Sequence, residues 1–233
     1  MEPVKRSLQT DPNQAPAKAY KVEPLVLALE LLDSPLPEIV EDLTLTITAV
    51  EALKLAETAS DPHQKFKYYA HAASRGNEEG LYQKGVCLQQ GTGVAANGQE
   101  AVICFLEAAN GKHFKAMGRL AECLRQGNGI DMDLKAAKQW YEEATTYDYP
   151  PAWNNLGIMY SKGEGIDPDE KKAYECYLKS ATLGNAVGMY NVGIRLKNGK
   201  GVKKNLTESR KWLEQASERG LPLATQALKR LNQ

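Results

Sequence analysis

Apolar positions fall in stripes with helical spacing over most of the chain. Ala101, Cys104, Phe105 and Ala108 stand at i, i+3, i+4 and i+7, which is one face of an amphipathic helix. The stripe returns as Ala137, Trp140, Tyr141, Ala144 and again as Ala173, Cys176, Tyr177, with Ser180 closing it. It is looser at the ends, where Tyr68, Tyr69 and Ala72 open the series and Trp212, Leu213 and Ala216 close it, with Ser209 in place of the first Ala. Asp61, Asn97, Asp133, Asp169 and Asn205 precede these stripes at intervals of 36 residues. Such side chains accept a bond from an otherwise unpaired backbone N–H at a helix start, so each is expected to begin a first helix.

A second stripe follows each first one, for example Ala116, Leu120, Ala121, Leu124 and then Ala152, Leu156, Gly157, Tyr160. Its small residues allow helices to approach closely. Gly76, Gly184 and Gly220 mark the break between the two helices, and Pro150, Pro151 and Pro222 fall near the first turn of the second, where a missing N–H costs nothing. The second helix should end at Gly91, Gly127, Gly163 or Gly199, each opening a Gly-x-Gly-Val/Ile tetrad 36 residues from the next. Glycine is the usual left-handed residue after a helix, and the Val or Ile three places on can fold back on the last turn. A fixed period of this size predicts a stacked array, each unit hiding its apolar face against its neighbours. The units run 61–96, 97–132, 133–168, 169–204 and 205–233.

The run Ala137-x-x-Trp140-Tyr141-x-x-Ala144, followed by Ala152-x-x-x-Leu156-Gly157-x-x-Tyr160-x-x-Gly163-x-Gly165-Ile166, resembles the Sel-one-like repeat family, a branch of the tetratricopeptide-like helical repeats. The resemblance extends from Asp61 to Gln233. It implies an all-α, right-handed solenoid of antiparallel helix pairs whose concave side binds other proteins, and it implies no particular partner. Lys112 and Asp148 depart from the inter-helix Gly, and Gly80 and Gly188 from the first Ala of the second helix. Some secreted relatives tie each helix pair with a disulfide and are linked to penicillin binding. This chain has no cysteine pair seven residues apart.

Upstream of the array, Pro24 to Leu32 forms a short apolar helix candidate that Asp33-Ser-Pro-Leu-Pro37 breaks. A helix from about Glu38 to Ala59 would carry Ile39, Leu43, Ile47, Val50 and Leu53 on one face. Residues 23–60 are expected to cap the open end of the first unit; the alternative is a homodimer contact through the Leu-rich residues 25–32. Residues 1–22 read as a disordered tail, their composition fitting a secretory or organelle-targeting segment poorly. Cytoplasm is the default location, with no membrane insertion.

Charge narrows the partners. With 29 basic and 29 acidic residues and a pI near 6.8, the chain lacks the bias that nucleic acid requires. Lys197, Lys200, Lys203 and Lys204 read as a solvated loop. Cys87 and Cys123 share one repeat position, and Cys104, Trp140, Cys176 and Trp212 share another, so the thiols read as packed core. His63, His71 and His113 have no ligand partners at metal spacing and read as ordinary surface or turn residues. The tetrads close a helix where phosphate-cradling loops open one, and no nucleophile motif appears. The expectation is a non-enzyme without cofactor or metal.

What varies between units is the outward part of the first helix. One column holds Phe66, Val102, Lys138, Tyr174 and Arg210, and the next Ala70, Leu106, Glu142, Leu178 and Glu214. The candidate partner-binding residues are Phe66, Ala70, Val102, Ile103, Leu106, Lys138, Glu142, Tyr174 and Leu178. They form either a groove for a protein or peptide or packing between adjacent first helices. The expected function is an interaction scaffold or adaptor; a regulatory subunit acting on a partner enzyme and a β-lactam-binding, hydrolase-like repeat protein are the alternatives.

Overall fold

The structure is a computed structural model and describes residues 47–231. Helix α1 (Ala49–Thr58) leads into five helix pairs: α2 (Pro62–Ser74) with α3 (Glu78–Gln90), α4 (Gly98–Asn110) with α5 (Phe114–Gln126), α6 (Leu134–Thr145) with α7 (Pro150–Lys162), α8 (Glu170–Thr182) with α9 (Ala186–Asn198), and α10 (Leu206–Glu218) with α11 (Pro222–Leu231). The described residues are helices and connecting turns, without strands.

The predicted caps explain where the first helices start. Asn97, Asp133, Asp169 and Asn205 each accept the amide of the residue three places on, at 2.9–3.1 Å. Asp61 accepts from both His63 and Gln64 at 3.2 and 3.1 Å. At the other end of each pair, Gly91, Gly127, Gly163 and Gly199 take left-handed backbone at φ 70–71°. The loop then closes back on the helix: Asp133 N–H, for instance, donates to Leu124 O at 2.9 Å, and Ile130 packs on the core.

The second glycine of each tetrad has a separate reason to be small. At Gly129, φ is +75° and a Cβ would stand 2.2 Å from the carbonyl oxygen of Gly98. The loop leaving each second helix thus lies on the backbone at the start of its own unit's first helix.

Each second helix packs more closely on the first helix that follows it than on its own partner, and successive first helices make few direct contacts. Each second helix therefore ties its own first helix to that of the next unit. Glycines permit the closeness. A Cβ at Gly85 would stand 2.7 Å from the Phe105 ring, and one at Gly157 2.7 Å from that of Tyr177, so each ring lies on the bare backbone of the preceding second helix. Around these rings the core forms one cluster with Leu120, Tyr141 and Leu156 and another with Val192, Leu196 and Leu213.

Both ends of the described array differ from its middle. On α11, exposed Thr225 and Lys229 occupy repeat positions held by Met189 and Gly193 one unit earlier, the polar outer face a terminal unit needs. At the start, Ala56 of α1 packs with Tyr69 and Cys87. Of the predicted helix over 38–59, Ala49–Thr58 is helical and starts at a capping box of Thr48 and Glu51, so Ile47, predicted to lie within the helix, stands before it, and residues 38–46 lie outside the described residues. The buried face is Ala52 and Ala56, and Val50, predicted to face inward, is 57% exposed. The remainder of the cap, the tail and residues 25–32 lie outside the described residues.

Candidate partner-binding surface

The candidate residues all lie on first helices, at different depths. Phe66 and Ala70 on α2, Ile103 and Leu106 on α4, and Tyr174 and Leu178 on α8 are half-buried. Phe66 and Leu106 pack against the first core cluster and Tyr174 and Leu178 against the second. Val102 is 1% exposed and so belongs to the core, which removes it from any surface. Lys138 and Glu142 are ion-paired with each other on α6. Tyr174 reaches toward the next first helix: burial, and then the carboxylate of Glu208 on α10, push its phenol above the ordinary value. A charge placed at Leu106 or Tyr174 would disturb packing as well as surface.

The more accessible columns lie one position further round the helix. Ile103 lies in the column Lys67, Ile103, Gln139, Glu175, Lys211, whose last three members are exposed, and beside it run Glu107, Glu143, Lys179 and Gln215, all exposed. Apart from Ile103 these columns are polar and change sign from unit to unit, so sequence reasoning, which looked for apolar departures, named Ile103 and passed over the rest. On α10 a shallow depression of ≈ 380 Å³ is lined by Asn205, Thr207, Glu208, Lys211, Trp212 and Gln215. It brings Trp212 together with Lys211 and Glu208, an aromatic residue beside a cation and a carboxylate.

Titratable groups elsewhere are absorbed by the fold. The four cysteines are free and buried, and burial pushes the thiols of Cys104, Cys123 and Cys176 up to about 11, the opposite of what a reactive thiolate needs. His63 bonds Gly93 O at 2.9 Å and His71 bonds Ile47 O at 3.0 Å. His113 has a carboxylate partner, Glu79 at 2.9 Å, which corrects its reading as an ordinary turn residue. The two side chains are 34 residues apart and meet only because successive second helices stack. Among the described residues no three His, Cys, Asp or Glu side chains are grouped to hold a metal, and no helix is long and apolar enough to cross a membrane.

Helix pairs stacked through glycine contacts, with a polar face on the final helix, define a helical repeat solenoid whose variable chemistry is on its helix faces. A family model described as the Sel1 repeat matches residues 79–113, 114–146, 150–185 and 186–221, more than half of the chain. The chain belongs to the Sel1 repeat family, whose repeats typically serve protein–protein interaction. The family's frame begins on the second helix and ends after the following first helix, the pair that packs most closely.

Among solved structures, c5321, described as a protective antigen of uropathogenic Escherichia coli strains with an SLR fold, is 27% identical at a TM-score of 0.67, over 77% of this chain and 38% of that one. A Sel1 repeat protein from Oxalobacter formigenes shares the fold at a TM-score of 0.72 and 23% identity, over 77% of this chain and 72% of that one. Among curated proteins, Chitin synthase regulatory factor 2 of Schizosaccharomyces pombe is 36% identical over 64 residues, 28% of this chain. The match spans 12% of that relative's length.

Proposed function

We propose that this chain is a non-enzymatic scaffold that holds a protein or peptide on the wall formed by its first helices. The observation that carries the reading is the contrast between columns. Core columns such as Ala101, Ala137, Ala173 keep the same kind of residue from unit to unit, whereas the exposed columns through Ile103 and Glu107 between them range over apolar, acidic and basic residues. A wall of that kind presents a different side chain at each rung of a rigid support, which suits recognition of an extended partner by a few anchors. Ile103 near the start and the depression beside Trp212 at the end are the anchors assigned.

The half-buried candidates Phe66, Ala70, Leu106, Lys138, Glu142, Tyr174 and Leu178 take a supporting role here, setting the spacing of the exposed columns. Ile103→Asp combined with Lys211→Glu is expected to weaken capture of the partner from source-cell extract by roughly thirtyfold or more, on the scale of losing a binding hot spot. Circular dichroism should stay unchanged, and Val187→Asp on α9, a position 42% exposed, should leave capture intact. Undiminished capture by the double variant would remove these anchors.

A second reading is a regulatory subunit acting on a partner enzyme. It is favoured by the 64-residue likeness to Chitin synthase regulatory factor 2, and it differs from the first only in what the partner is.

A further inference from the structure

The corner between α4 and α5 departs from the repeat at two adjacent residues. Two other corners read Gly76-Asn77 and Gly184-Asn185, with the Asn side chain capping the next helix at 2.8 Å, whereas the corner at Asp148-Tyr149 has no side-chain cap and the last reads Gly220-Leu221. Here Lys112 holds the left-handed backbone at φ 68°, and His113 does the capping. Its Nδ1 accepts the Ala116 N–H at 3.2 Å while its Nε2 lies 2.9 Å from Glu79 Oε2 on α3. A backbone amide can only donate and a carboxylate only accepts, so the neutral ring must carry its proton on Nε2. The side chain is 12% exposed and wedged between two rings, Tyr82 at 4.8 Å and Phe114 at 6.0 Å.

We propose that His113 is a pH-responsive clamp: the neutral imidazole ties the start of α5 to α3, and protonation releases the first turn of α5 while the bond to Glu79 holds. A proton on Nδ1 would point at the Ala116 N–H, so the capping bond is lost in that ring position. The ion pair with Glu79 gains from the same proton, which keeps the ring where it is. Glu79 is itself prepared for this role. Burial pushes its carboxyl up, but bonds from Gln83 and His113 hold it below the ordinary value. The other charged and titratable groups at the corner are Tyr82 and Glu78 from α3, Lys112 on the turn, Lys115 and Arg119 on α5, the latter bonding Tyr82, and Tyr149 of the next corner, whose ring lies 5.4 Å from that of Phe114. Their charges are mixed, so the Glu79 contact and the capping bond dominate. The release travels outward through Phe114, which directly follows the cap and stacks on Tyr147 of the next corner at 6.1 Å, a ring 40% exposed.

The test uses the full chain. Long-range nitrogen–proton NMR at about pH 8 should show the Nε2–H tautomer, and the same spectra recorded down to about pH 5 follow the ring as a proton is added. Across that range the hydrogen-exchange protection of Ala116, corrected for intrinsic exchange, should fall about fivefold, the scale of losing one capping bond. In His113→Asn, which restores the cap that two other corners use, it should not change. An Nδ1–H tautomer at about pH 8, a ring that stays neutral to about pH 5, or Ala116 protection that tracks the His113→Asn variant would each overturn the proposal.

Discussion

Gly129→Ala is expected to lower the stability of the array by about 3 kcal/mol or more, whereas Gly220→Ala should cost only about 1 kcal/mol. Both residues have positive φ, +75° and +79°, and an L side chain there costs roughly 1–2 kcal/mol. The difference is what the added Cβ meets. At Gly220 nothing lies within 4 Å, whereas at Gly129 the new atom would overlap the Gly98 carbonyl at 2.2 Å. Relief requires lifting the loop from the start of α4, where Asn97 caps the helix, so strain and lost contact add to the backbone term. The molecule already contains the milder substitution: Lys112 and Asp148, at φ 68° and 50°, occupy the repeat position of Gly220. Urea unfolding of the two variants beside wild type decides the matter, and equal losses would contradict the account.

The second large effect is at Tyr141, which is fully buried. Tyr141→Ala should cost about 3–5 kcal/mol, the range for emptying a buried ring site, and Tyr141→Phe about 1–2 kcal/mol. The phenol oxygen accepts from Asn155 Nδ2 at 3.1 Å and is also bonded by Arg125, and burial pushes the phenol well above its ordinary value. Removing the hydroxyl leaves these donors short of a partner but leaves the ring in place. Phe105, at 0% exposure, fills the same repeat position one unit earlier, which shows that the ring alone fits. Unfolding midpoints of the two variants separate ring from hydroxyl. A phenylalanine variant as unstable as the alanine one would show that the polar contacts, not the ring, hold the site.

Much of the fold was legible because its determinants are local and repeated. A cap such as Asp133, a stop such as Gly127 and the stripe from Ala137 to Ala144 each announce themselves within one helical turn, and the period aligns them. What required the third dimension were contacts between residues far apart in the sequence. The second tetrad glycine looked like a companion to the first, yet Gly129 is small because of Gly98, 31 residues earlier in the same unit. The bond from His113 to Glu79 crosses a unit boundary. The apolar spacing of Ile47 and Val50 ran the helix through Thr48, where the Thr48–Glu51 capping box starts α1.

The candidate surface was legible as a helix face but not in depth. Adding a period to Phe66 identifies Val102, Lys138 and Tyr174 as equivalent in position, but equivalent positions bury differently when neighbouring side chains differ. Val102 entered the core while Lys138 turned to Glu142. Polar columns such as Gln139, Glu175 and Lys211 carry no apolar signal at all, so only their exposure in the folded array separates a wall from an ordinary solvated face.

The most direct test of the first-helix wall is site-specific photo-crosslinking. A photoreactive phenylalanine placed singly at Ile103, Glu175 or Lys211 on the wall, and at Val187 or Leu223 on the second helices, where exposure is 42% and 53%, is irradiated in source-cell extract. The wall positions should give one common adduct and the second-helix positions none. An adduct from Val187 and Leu223 with none from Ile103, Glu175 and Lys211 would place binding on the opposite face and contradict the account.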